Sequence, residues 1–228
     1  MFDSVQSVFI SFNTRFEGAV PYMYLDVKGL VTIGVGNLID PVQVAQALPF
    51  QFKNRPDVAS PGSPATTDQI AAEWQRLKSD PSLARRGHLA CEPMTQLELS
   101  DDAINSLILS KLTDNQNFLK RQQWFQEFEA WPADAQLGLL SMAWAMGPAG
   151  PGNFPHFRAA CQKLDFNTAA KECKMDETGN PGVVPRNQAD FTLFSNAAVV
   201  LACEAQGTFQ RSTLFYPQAL SASTAAEA

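Results

Sequence analysis

Residues 137–146 read Leu-Gly-Leu-Leu-Ser-Met-Ala-Trp-Ala-Met and form the most apolar helix candidate in the chain. That run is shorter than the roughly 18 apolar residues needed to span a bilayer, so it reads as a core helix. Gly138, Ala143 and Ala145 would let neighbouring helices approach it closely. At 228 residues the chain is long enough to bury a sizeable core, as one domain or as two lobes sharing a helix. A hydrophobic content of 45% fits a globular protein and excludes a chain too polar to collapse.

The chemistry is concentrated near the N-terminus. Val5, Val8, Phe9 and Phe12 recur at helical spacing, which predicts a helix over residues 5–16 with Glu17 at or near its end and Gly18 helping to stop it. Residues 22–36 read as a small β region, with Tyr22, Tyr24, Val31, Ile33 and Val35 as strand formers and Lys28-Gly29 as the turn. Gly34 and Gly36 predict a bend or a close backbone approach. Eight residues separate Glu17 from Asp26, and five separate Asp26 from Thr32. Two acids on different local elements, with a hydroxyl nearby, suit glycosidic hydrolysis. One carboxyl protonates the leaving oxygen, and the other holds a water on the opposite face of the sugar.

This segment resembles the catalytic signature of the phage-type lysozymes, glycoside hydrolase family 24, whose pattern of Glu, eight residues, Asp, five residues, Thr is met without a gap. Tyr24, two positions before Asp26, also matches. One departure is that Asn37-Leu38 follows Gly36 where many members have His and Leu. A second block, residues 131–147, resembles the central buried helix of the family's C-terminal lobe. There the residue at the position of Trp144 lies beside the cleft, with sugar stacking and core packing both open. A third block, residues 182–194, resembles a helix start in which many members carry two arginines. Here Arg186 is followed by Asn187, and Asp190 takes the acid position. Arg186 and Asn187 are expected to be exposed there, with Arg186 either supporting Glu17 or serving as an ordinary surface residue.

The resemblance implies an α+β, mostly helical, lysozyme-like two-lobed fold with a small β subdomain beside the cleft. It covers residues 7–39 and about 97–200. The expected division is a catalytic lobe of residues 1–48 and 96–112, an insertion over 49–95, a helical lobe over 113–220, and a disordered tail over 221–228. Within the insertion, residues 49–64 read as loop, and Thr66 with Gln69 predicts a capping box before a helix that ends at Asp80-Pro81. Ser100 predicts the N-cap of an amphipathic helix carrying Ile104, Leu107, Ile108 and Leu112.

The implied activity is that of a muramidase, cleaving the β-1,4 bond between N-acetylmuramic acid and N-acetylglucosamine with inversion. Glu17 would be the general acid, its proton held by partial burial or a nearby negative charge. Asp26 and Thr32 would hold the water. Leu38, Trp144, Arg186 and Asn187 are the expected substrate-binding residues. No cofactor and no metal are implied. A lytic transglycosylase acting on the same bond, or a non-catalytic wall-binding module, are the alternatives.

A net charge of −6 argues against nucleic acid as a partner and sits uneasily with an anionic cell wall, unless patches such as Arg85-Arg86 or Lys120-Arg121 offset it. Cys91, Cys161, Cys173 and Cys203 match no zinc spacing and read as buried hydrophobes, or as the source of one disulfide. No membrane insertion is expected, and a monomer is. The N-terminus lacks a basic head and an apolar run. The reading therefore expects a protein made in the cytoplasm and delivered to the periplasm or cell wall of a target bacterium without a signal peptide, or one domain of a longer polypeptide. A phage endolysin and an interbacterial effector both fit. The latter implies an immunity protein or a secretion carrier as partner.

Overall fold

The computed structural model describes residues 1–58 and 60–221. It is α+β and mostly helical, 57% helix against 8% strand. In chain order, helix α1 spans Asp3–Glu17, and strands β1, β2 and β3 span Val20–Leu25, Val31–Gly34 and Asn37–Leu38. Next come α2 (Val42–Gln46), β4 (Gln51–Phe52), α3 (Thr67–Lys78), α4 (His88–Cys91) and β5 (Leu97–Glu98). The long α5 (Asp101–Lys120) precedes α6 (Ala133–Met146), α7 (Pro155–Gln162), α8 (Phe166–Glu172) and α9 (Val183–Ala202). The chain divides into two compact units, residues 17–111 and residues 1–16 with 112–228.

The unit of residues 17–111 is built on an antiparallel sheet in the order β1-β2-β3. Val31, Ile33 and Leu25 are buried, while Tyr24, Thr32 and Leu38 stand opposite one another across the three strands. Opposed residues in such a ladder share a face. Gly34 has a φ of +64°, and a Cβ there would lie 3.3 Å from Asn37 Oδ1 and 3.5 Å from Ile104. That is the close approach its sequence position predicts. The expected capping box is present: Gln69 N donates to Thr66 Oγ1 at 3.3 Å, and Thr66 N donates to Gln69 Oε1 at 2.8 Å.

Residues 49–95, expected as an insertion, contribute Phe50, Ile70, Trp74, Leu77 and Leu83 to this unit's core. Trp74 Nε1 donates to Ile39 O at 3.0 Å. Lys78 Nζ donates to Gly29 O at 2.8 Å and pairs with Asp40. The buried Glu73 carboxylate accepts from Gln96 N and Leu97 N. The stretch expected as loop contains β4, which pairs with β5. Two-residue strands are too short to show a periodicity.

The other unit forms around α6, whose residues 133–144 are all buried. A Cβ on Gly138 would come within 2.9 Å of Phe194 Cζ, so α9 packs where α6 has no side chain. Trp131 sits edge-on to Phe166 at 5.2 Å, and Phe157 edge-on to Phe194 at 5.2 Å. Residues 1–16, expected in the first lobe, belong here. Phe2 N donates to Gln136 Oε1, and Phe9 packs edge-on against Trp144 at 5.3 Å. At the far end of the chain, Asp134 accepts from Phe215 N and Tyr216 N, and Asn196 Oδ1 accepts from Leu220 N. Cys91, Cys161 and Cys173 are buried free thiols. All but the first residue of the expected tail lie outside the described residues. No helix of the described residues is long and apolar enough to cross a membrane.

Candidate active site

Glu17 is the last residue of α1. The chain leaves the helix at Gly18, whose φ of +69° is open to glycine at little cost, and enters β1 two residues later. Asp26 follows β1 and organises the next turn. Its N–H donates to Leu30 O at 2.9 Å, and its own carbonyl accepts from Gly29 N at 2.9 Å. Its Oδ1 accepts from Lys28 N at 2.8 Å and Leu30 N at 2.9 Å. Asx-type bonding of this kind favours a turn over continued strand and fixes the carboxylate's direction. Lys78, bonded to Gly29 O, ties the same turn to α3.

Glu17, Tyr24 and Asp26 line one cavity of about 310 Å³. Its opposite wall is made by Ala84, Gly87 and His88, all from the segment expected as an insertion. Tyr24 lies between the two acids electrostatically. Burial, and then the charges of Glu17 and Asp26, push its phenol up to about 12. It therefore keeps its proton and presents an O–H donor beside two carboxylates. Lys111 on α5 also faces this region. Its Nζ donates to Gly36 O at 3.2 Å, and burial pulls its pKa down while the Glu17 charge pulls it back up.

The geometry departs from expectation at several residues. Glu17 is exposed, so the partial burial expected of a general acid is missing before substrate arrives. Thr32 is only 5% exposed, and its hydroxyl donates to Leu30 O at 3.2 Å. It stands one strand behind the cavity, opposite Tyr24, and is not on the cavity wall. Leu38, across the ladder from Thr32, is 52% exposed. Asn37, at the position where many family members carry His, is buried. Its Oδ1 makes no hydrogen bond among the described residues.

Three expected substrate contacts lie in the core of the other unit. Trp144 is 5% exposed and is packed against Phe9, so its indole is a core side chain. Arg186 is not exposed but 2% accessible. It donates to Asn13 Oδ1 at 3.0 Å and Ser141 Oγ at 3.1 Å, with its guanidinium 4.6 Å from the Phe16 ring. Asn187 is also buried, bonding both N and O of Met175 at 2.9 Å and Glu177 at 3.0 Å. A helix's first turn reads as solvent-facing in sequence, but here the polar partners that bury it come from α1, α6 and the 173–182 segment.

A larger cavity, about 600 Å³, lies in the same unit as these three. Among the described residues that line it the one acid is Glu177, tied to Lys174 at 3.1 Å and to Asn187. Among the described residues no group of His, Cys, Asp and Glu is arranged to hold a metal ion. His88 and Lys111 were not singled out by the sequence pattern. His88 lies outside the matched motifs, and Lys111 reads as one more charge on an amphipathic helix. A scan against protein-family models finds no match to this chain, and a search of curated proteins finds none at a significant level.

Proposed function

We propose that the chain is a lysozyme-type glycoside hydrolase with a lysozyme-like fold, a muramidase acting on the alternating amino-sugar strands of peptidoglycan. The observation that carries this reading is the cavity shared by Glu17 and Asp26, two carboxyls delivered by a helix end and a strand end, with the protonated Tyr24 phenol beside them. Glu17 protonates the glycosidic oxygen as the bond breaks. Its exposure leaves it open to a bound sugar. Asp26 has one oxygen held by two backbone N–H groups, which fixes the direction of its carboxylate. The second oxygen makes no hydrogen bond among the described residues and is free to hold the attacking water. Tyr24 donates its O–H toward the sugar or the water. Thr32, opposite Tyr24 on the neighbouring strand and off the cavity wall, acts on the site through the position of Tyr24 and the 26–30 turn and does not hold the water directly.

Inversion requires room for that water, so the two carboxyl groups would stand roughly 6.5–9.5 Å apart when substrate is bound. The substrate lies in the cell wall, which makes the wall of a target bacterium the place of action. The test is digestion of purified peptidoglycan with product analysis by mass spectrometry. Products with reducing ends are expected. Glu17→Gln, which keeps the shape and removes the proton, should lower the rate by ~10²–10⁴-fold. Anhydro ends would identify a transglycosylase instead, and wild-type rates from Glu17→Gln would remove Glu17 from the mechanism.

A further inference from the structure

The cavity that holds Glu17 and Asp26 also holds an imidazole that the acid-pair mechanism does not use. His88 opens α4, directly after Gly87, whose φ of +76° turns the chain into the cavity wall. Two aromatic rings of β1 fix the imidazole. Tyr22 stacks on it at 6.5 Å with the planes 15° apart, and Tyr24 meets it edge-on at 6.0 Å and 69°. It is half-buried, so it is held on one side and open on the other. A histidine that served packing alone would be enclosed by its neighbours. This one is flanked by two rings and still lines the cavity that Glu17 and Asp26 share.

The polar chemistry of the cavity is lopsided. Glu17 and Asp26 are acceptors when ionised, and Tyr24 beside them carries a single O–H donor. Among the described residues, His88 is the one nitrogen-bearing side chain lining that cavity. An imidazole always carries at least one N–H donor. A sugar seated against the two acids therefore meets, besides the Tyr24 hydroxyl, a nitrogen donor on the side of His88. In the peptidoglycan strand the two sugars differ in one group, the lactyl ether on the muramic residue, which ends in a carbonyl or carboxylate oxygen. A strand of N-acetylglucosamine alone lacks it.

We infer that His88 is a specificity-determining residue that donates a hydrogen bond to the lactyl oxygen of the muramic sugar, so that residues 81–91 read which sugar occupies the cavity. This rests on the muramidase reading above. It also gives the segment around His88 a task beyond closing the core: it supplies the wall that distinguishes a bacterial wall strand from a plain amino-sugar polymer.

The test measures binding of two tetrasaccharides, one alternating with muramic acid and one of N-acetylglucosamine alone, by calorimetry on full-length protein carrying Glu17→Gln to prevent turnover. His88→Phe keeps a ring between Tyr22 and Tyr24 but removes the donor. His88→Gln restores a donor without the ring. The Glu17→Gln parent is expected to prefer the muramic tetrasaccharide by about tenfold, the usual scale of one hydrogen bond to ligand. Adding His88→Phe should erase that preference by weakening the muramic ligand alone, and His88→Gln should retain part of it. Equal weakening of both ligands by His88→Phe, or an unchanged preference, would overturn the inference and leave the acid-pair reading standing. Failure of the acid-pair reading shows separately, as lysis by Glu17→Gln at wild-type rate.

Discussion

Asp26 shows how one side chain can close a turn and line a cavity together. Its Oδ1 accepts from Lys28 N and Leu30 N, so the same carboxylate that closes the turn is aimed at the cavity. Asn at this position keeps an acceptor oxygen for both N–H groups but loses the negative charge. Asp26→Asn should therefore fold with a melting temperature near wild type, while wall hydrolysis falls by ~10²–10⁴-fold. A large drop in melting temperature would mean that the charge itself holds the turn. At this scale the sequence was legible where spacing carries meaning, which is how Glu17, Tyr24 and Asp26 come to be read together. It was not legible where burial decides a role. Arg186 and Asn187 read as exposed charge and amide at a helix start, yet Asn13, Ser141 and Met175 bury them. Those partners lie far away in sequence, and no local pattern announces them.

At the scale of elements, the long periodic segments were readable and the short ones were not. The helix carrying Val5, Phe9 and Phe12 stops beside Gly18 as its pattern requires, and the Thr66–Gln69 box opens α3. Strands β3, β4 and β5, each two residues long, exist because neighbours pair with them and have no propensity signal of their own. For the same reason residues 49–95 read as an addition, although Trp74, Lys78 and Glu73 tie them into the sheet's surroundings. The contact of α6 with α9 offers a sharp check. Gly138→Ala places a methyl 2.9 Å from the Phe194 ring, which other aromatic rings hold in place. Loss of about 1–3 kcal/mol is expected in chemical denaturation, the usual cost of overpacking. Pairing it with Phe194→Leu should recover part of that loss.

For the molecule as a whole, stability should carry the signature of one buried acid. Asp190 on α9 is enclosed, and burial pushes it from its ordinary 3.8 up to about 7, against the pull of Ser141 and the Arg186 guanidinium. In the unfolded chain it ionises near the ordinary value, so between those two pH values the native state binds the extra proton. Its contribution is fully present below pH 3.8 and is lost as pH rises through about 7. Asp190→Asn does not titrate, so the stability difference between variant and wild type should be small near pH 4. By pH 8 it should grow in the variant's favour by on the order of a few kcal/mol. Denaturation curves at the two pH values measure it, and a constant difference would refute it. The first turn of α6 has a mechanical consequence as well. Gln136 holds the backbone of Phe2, and two residues earlier Asp134 holds that of Phe215 and Tyr216. Phe2 and the 215–216 segment thus hang from adjacent hooks on one helical turn, and tension applied between those two segments falls first on these few bonds.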